Sequence, residues 1–232
     1  MAREPRVVTS TTVRLGMLMA AVGGFLDVYT FVNRGGVFAN AQTGNLIFLG
    51  IKASQGRWCD AAAHVPPVIA FVAGVMTAQY LTTTAARTWL RYPVRSVLVV
   101  EFVLLLAVGF IPSSERLNYG DELSTVVIAY AAAIQIAVFK TLVDVAYSTT
   151  MTTGNLKSMS MALYDWVFGH DPVARPHAVN LAAIIGSFLT GAVVCAVSSP
   201  TLGVHTVWLA LPLLAFALAL FSYDEWSVRR RR

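Results

Sequence analysis

Three long stretches of this chain contain no Asp, Glu, Lys or Arg: Val65 to Ala86, Ala178 to Pro200 and Leu202 to Tyr223. Three others, Leu15–Val32, Ser96–Ser114 and Leu123–Val145, contain one or two each. As helices rising about 1.5 Å per residue, the charge-free stretches are long enough to cross a hydrocarbon core of roughly 30 Å. The pattern predicts six membrane-spanning helices, in chain order, and no soluble domain. Composition agrees, with 56% apolar and 12% charged residues, against about a quarter charged in soluble domains. A soluble fold of this length has too little interior to hide so much apolar surface.

The charges then orient the spans. The net charge of +5 does not point to nucleic acid, because the basic residues sit at the edges of the apolar runs. They are Arg3, Arg6 and Arg14, then Arg87, Arg91 and Arg95, then the tail Arg229 to Arg232. Cytoplasmic ends of spans carry this excess, and the terminal arginine run also suits anionic lipid. The segment Glu115 to Glu122 holds three acids and one arginine and is assigned to the outside. Six spans then leave both termini in the cytoplasm. The first apolar run contains Asp27 and leads into many more spans, so it reads as an uncleaved helix and not as a signal peptide. Cys59 and Cys195 make no disulfide framework.

Two short polar segments have no crossing assigned to them, and they share a tetrapeptide. Thr43-Gly44-Asn45-Leu46 returns as Thr153-Gly154-Asn155-Leu156. A repeat this short arises by chance on the order of half the time in a chain of this length, so its surroundings decide. Each copy follows a helix ending in a similar signature, Asp27-Val28-Tyr29 and Asp144-Val145-Ala146-Tyr147. Each precedes a charge-free helix with a matching core, "FVAG" at 71–74 and "FLTG" at 188–191, and each half closes with one more span. The spacing from aspartate to threonine differs, 16 residues in one copy and 9 in the other. The expected architecture is all-α: one membrane domain of two inverted repeats, 1–121 and 122–232, each with a short helix that is re-entrant or interfacial. Irregular backbone at membrane depth is tolerated where it lines a cavity or is buried in protein.

The repeated signature suggests a site. Thr43 and Thr153 read as helix N-caps, whose hydroxyls accept bonds from first-turn amides. Gly44 and Gly154 allow close backbone approach, and Asn45 and Asn155 offer a carbonyl and an amide at the same point. Two half-helices entering from opposite faces would aim their positive ends at a solute near the midplane. The plain alternative is that both copies are ordinary helix starts. Ionisable groups in the spans add to the list, since charge there is costly and usually functional. Asp27 has no partner on its own helix and reads as a cation or proton site, or as a donor when protonated. Lys140 and Asp144 stand four apart on one face and are able to neutralise each other. Glu101 lies six residues after Arg95 and is expected to snorkel to the cytoplasmic surface. Asp27, Lys140 and Glu101 are the ion-coupling candidates, with Asp27 and Asp144 also beside the solute.

Other features read as structural. Ala70 with Gly74, and Ser187 with Gly191, have the spacing of helix-packing contacts. Pro66, Pro67 and Pro212 are expected to kink their helices. Trp58, Trp89, Trp166 and Trp226 lie near span ends as interfacial anchors. The His170, Asp171, His177 cluster fits no standard metal spacing. No catalytic or nucleotide-binding fingerprint occurs, so no enzyme, metal or cofactor is implied.

The stretch "GGFLDVYTFVNRGGVFANAQTGNLIFLG" (residues 23–50) resembles the YoaK-like family, small bacterial inner-membrane proteins grouped under a domain of unknown function. The likeness rests on Gly24, Asp27, Phe38, Thr43, Gly44 and Asn45, and on Thr153, Gly154 and Asn155. It covers nearly the whole chain, implies a bacterial plasma-membrane location, and supplies no substrate. The expected function is movement of a small polar or ionic solute across the bilayer. The rival is a non-transporting assembly factor or sensor that binds a partner protein. The number of chains that assemble is left open, a homo-oligomer included.

Overall fold

A chain segment surrounded by lipid must satisfy its backbone groups internally, and the α-helix does this within one segment. The computed structural model describes residues 10–81, 83, 93–113, 119–140 and 152–230, and its regular structure there is all helical. In chain order the helices are α1 (Ser10–Asn33), α2 (Gln42–Ser54), α3 (Trp58–Ala62), α4 (Val65–Leu81) and α5 (Pro93–Val108). They continue with α6 (Tyr119–Lys140), α7 (Thr152–Val167), α8 (Ala174–Leu202), a 3₁₀ segment (Gly203–Ala210) and α9 (Leu211–Arg230).

Four described stretches are long and apolar enough to cross a membrane: Val13–Asn33, Trp58–Leu81, Gly120–Phe139 and the 47-residue Ala174–Leu220. The last is broken at Gly203, where φ is +53°, a conformation that suits glycine. The sixth helix therefore starts at Leu211 and not at Leu202 as the apolar run suggests. The intervening 3₁₀ turn is held against the end of α5. Trp208 Nε1 donates to the Leu106 carbonyl at 3.1 Å and its ring fills the space over Gly109. The third apolar run likewise ends early as a helix, at Val108.

Polarity runs inside out. Ile69, Val72 and Met76 on α4 and Leu189, Val193 and Val197 on α8 all face outward. Asp27, Arg34, His64, Glu101, Gln135 and Asn155 are among the buried polar residues. Large apolar faces of this kind mark a protein whose solvent is lipid. The three prolines expected to kink their helices instead stand at helix starts. Pro66 and Pro67 stand second and third in α4 and Pro212 second in α9, within the first turn, where no helical hydrogen bond is lost.

Small residues set the tightest crossings. α1 packs most extensively on α8, and α4 next on α6. A methyl added at Gly24 would strike the Phe188 carbonyl, and one at Gly191 the Ala21 carbonyl. At Gly74 it would come within 2.6 Å of the Tyr130 carbonyl and 2.8 Å of Ala133 Cβ. The glycines read as packing contacts serve as such. Two further pairs match: α5 lies on α6 as α9 lies on α1, and α4 meets α2 as α8 meets α7.

Candidate functional site

The two Thr-Gly-Asn-Leu segments fold alike. Helix α2 begins at Gln42 and α7 at Thr152, each one residue before the threonine. Neither threonine is an N-cap. In α2 that position is Ala41, with no side-chain cap bond. Thr43 and Thr153 are exposed, Asn45 and Asn155 are buried, and the two residues after each asparagine are exposed again. Leu46 and Leu156, at 54% and 50% exposure, make the shared outward face explicit.

The first copy shows what its residues do. Asp27 Oδ1 accepts the backbone amides of Asn40 at 2.7 Å and Ala41 at 3.2 Å. The carboxyl of one helix therefore holds the amides at the entry of the next, taking the place expected for Thr43. Asp27 thus finds its partners off its own helix, in the connection to α2. The side chain of Asn45 reaches back to the same connection. Its Nδ2 donates to the Phe38 carbonyl and to Gln42 Oε1, both at 2.8 Å, and its Oδ1 accepts the Phe38 amide at 2.9 Å. Asn40 Nδ2 donates to the Gly23 carbonyl at 3.1 Å. Together these bonds pin residues 38–42 to α1 and α2. The consecutive positive φ values of Gly35 and Gly36, +84° and +75°, let the chain reverse after α1.

Gly44 is needed for this packing, because the Phe38 ring lies where a Cβ would be, at 2.8 and 2.9 Å. Gly154 has nothing within 4 Å among the described residues. Phe38 in turn stacks on Phe31 at 4.7 Å between centroids, and Phe48 stacks on His64 at 5.6 Å.

His64 is a residue that the sequence pattern did not flag. It is buried, with Nδ1 3.4 Å from Asn45 Oδ1. That oxygen is identified by the Phe38 amide that donates to it, so Nδ1 of His64 must carry the hydrogen. In the neutral imidazole Nε2 is then the acceptor, and it has no partner among the described residues. Asn40 Oδ1 is a second buried acceptor without one. Buried polar atoms are normally satisfied, so each of these two atoms is a place at which a hydrogen-bond donor would be held.

Arg34 was also missed. It is 1% exposed and is held by Tyr29 Oη at 2.9 Å, Asp121 Oδ1 at 3.1 Å, and the carbonyls of Val108 and Ile111 at 3.1 and 2.8 Å. One guanidinium thereby ties the ends of α1, α5 and α6. A cleft of about 40 Å³ lies beside it, with Asp121, Glu122, Pro66 and Pro67 in its walls.

The second copy is seen less fully. Asn155 is buried on α7. Asp144 lies outside the described residues, and so does the side chain of Lys140, whose backbone ends α6. Trp89 lies outside them too, as does the side chain of Trp226, whose backbone belongs to α9, while Trp58 and Trp166 are exposed and Arg175 lies over the Trp166 ring at 5.5 Å. The structure does not bring the two signatures together. α2 lies on α3 and α4, α7 lies on α8, and α2 has no substantial packing on α7. Glu101 does not snorkel: it is 1% exposed and midway along α5.

A family model described as protein of unknown function (DUF1275) matches residues 15–220. The chain belongs to that family. Among relatives, UPF0700 transmembrane protein YoaK of Bacillus subtilis (strain 168) is 23% identical over 205 residues, covering 85% of this chain and 88% of the relative. No solved structure matches. Membership in DUF1275, a transmembrane relative and the outward apolar faces together make this a membrane protein of a family whose function is not known. The matched span includes Asp27, both Thr-Gly-Asn-Leu segments and Glu101.

Proposed function

We propose that this DUF1275 protein is a transporter or channel for a small polar or ionic solute, built from two inverted halves of three spans each. The observation that carries this reading is the paired packing. Exchanging α1 with α6, α2 with α7, α4 with α8 and α5 with α9 turns the α1–α8, α7–α8 and α5–α6 contacts into the α4–α6, α2–α4 and α1–α9 contacts, while α2–α3 has no counterpart. The signature helices also start in the same register and bury the same asparagine. Inverted repeats with discontinuous helices are a transporter architecture, with solute held at the interface of the repeats. Six spans with both termini in the cytoplasm of a bacterial inner membrane complete the picture.

In this reading Asp27 and Asn45 hold the backbone that shapes the site, and Asn155 does so in the second half, with Asp144 its aspartate by sequence. Solute contacts fall to the exposed Thr43 and Thr153 hydroxyls and, in the first half, to His64 Nε2 and Asn40 Oδ1. Because α2 and α7 are apart in this packing, a midplane site shared by both requires the halves to shift against each other. Alternating access supplies such a movement.

The test is flux through the full-length protein in liposomes, against a panel of amino acids, small organic anions, neutral amides and monovalent ions. At least one solute is expected to show saturable, protein-dependent flux, lowered about tenfold or more by Thr43→Val with Thr153→Val. A panel without any such flux, together with a co-purifying protein lost in the same double variant, would overturn the reading in favour of partner binding.

A further inference from the structure

Helix α5 buries one stripe, formed by Val97, Leu98, Glu101, Leu105 and Val108, each 6% exposed or less. Four of these are aliphatic and the fifth is an acid. Glu101 is eight residues from Pro93 and seven from Val108, so either end of the helix is roughly 11–12 Å away. That exceeds the reach of a glutamate side chain. Both its carboxyl oxygens are buried and neither has a hydrogen-bond partner among the described residues.

The elements packed on α5 are α6, α9 and the 3₁₀ segment. Residues 123–139 of α6 contain no Asp, Glu, Lys, Arg or His, and residues 211–222 of α9 contain none either. The titratable groups whose side chains are described on these elements are engaged elsewhere. Tyr130 Oη pairs with Thr77 of α4, His205 Nδ1 with the Gly109 carbonyl, and Asp121 with Arg34 at the end of the bundle. Glu122 is exposed at that same end, and Arg95 on α5 itself is exposed. No cation among the described side chains faces Glu101. A carboxylate there would be out of water and without a counter-charge among the described side chains, a cost of several kcal/mol or more. A metal cation would need a shell of several oxygens, and the neighbours on the stripe offer aliphatic carbon.

We infer that Glu101 is a proton-binding site within the membrane, held as the neutral acid in the packing seen here and able to exchange its proton when α5 loosens from α6 and α9. This stands apart from the solute reading, because no solute is needed to load it. An ionisable residue kept at such depth is the kind of group through which membrane proteins pass or sense protons.

The experiment is infrared spectroscopy of the full-length protein in liposomes, in H₂O and D₂O, with Glu101→Gln as the control. The carbonyl band of a protonated carboxylic acid is expected in the wild-type protein, shifted to lower frequency in D₂O and lost in Glu101→Gln. A second measurement needs no variant. A hydrophobic carbodiimide adds the acid across its C=N bond, the carboxyl oxygen bonding to carbon and the proton passing to nitrogen. The adduct keeps the whole reagent mass and is expected on the peptide carrying Glu101. Absence of the acid band, or a band that does not shift in D₂O with no adduct, would overturn the inference and leave Glu101 as an inert or ionised packing residue.

Discussion

Gly44 and Gly154 hold the same place in the same tetrapeptide, but their surroundings predict opposite effects of alanine. At Gly44 the new methyl meets the Phe38 ring at 2.8 Å, and a stacked ring against a pinned backbone has little room to yield. Gly44→Ala is expected to cost about 1–3 kcal/mol as overpacking. At Gly154 the space is open, so alanine should be neutral, or stabilising by up to about 1 kcal/mol from helix propensity. Thermal unfolding of the two variants in detergent checks this, and equal shifts would refute it. Asn45→Ala should be worse than either. It strips a buried amide and carbonyl of Phe38 of their side-chain partner, at about 1–3 kcal/mol for each group left unsatisfied. Arg34→Ala leaves Asp121 and two carbonyls without their donor and is expected to cost about 3–5 kcal/mol. Replacing Arg34 and Asp121 together by Met and Leu should cost less than Arg34→Ala alone. Chemical unfolding of the set orders them.

Helices show most clearly what the sequence makes legible. The apolar runs located α1, α4, α6 and α8 because lipid demands unbroken hydrophobic length, a property of consecutive residues. The brace at Asp27 was not legible, since it depends on residues 40 and 41 folding back onto α1, which Gly35 and Gly36 permit but do not announce. His64 and Arg34 were passed over for the same reason: each sits at the end of an apolar run, where a polar side chain usually faces water. The glycine spacing was legible, because small residues four apart have few uses other than close packing. It yields a prediction for the α1–α8 crossing. Gly191→Ala places a methyl on the Ala21 carbonyl, whereas Gly186→Ala, about one turn away on the same helix, meets nothing within 4 Å. Gly191→Ala is expected to lower thermal stability by an amount equivalent to about 1–3 kcal/mol, and Gly186→Ala to leave it unchanged. Similar behaviour of the two would mean that the crossing is not set by backbone contact.

At the scale of the whole molecule the decisive matter is orientation, because paired packing describes two alike halves and only sidedness makes them inverted. The chain carries its own reporter. Cys59 is exposed beside the end of α2, while Cys195 is buried. If α1 runs outward, as its basic N-terminal flank requires, Cys59 faces the outside. An impermeant thiol reagent applied to intact cells should then label the wild-type protein there. The matching position after α7 is Val173, which is 64% exposed. Val173→Cys in a background of Cys59→Ser and Cys195→Ala should label only after lysis. Opposite sides would mean that the two Thr-Gly-Asn-Leu helices enter the bilayer from opposite faces, as an inverted repeat requires. The same side for both would leave two alike halves in parallel, and the midplane site would lose its geometry.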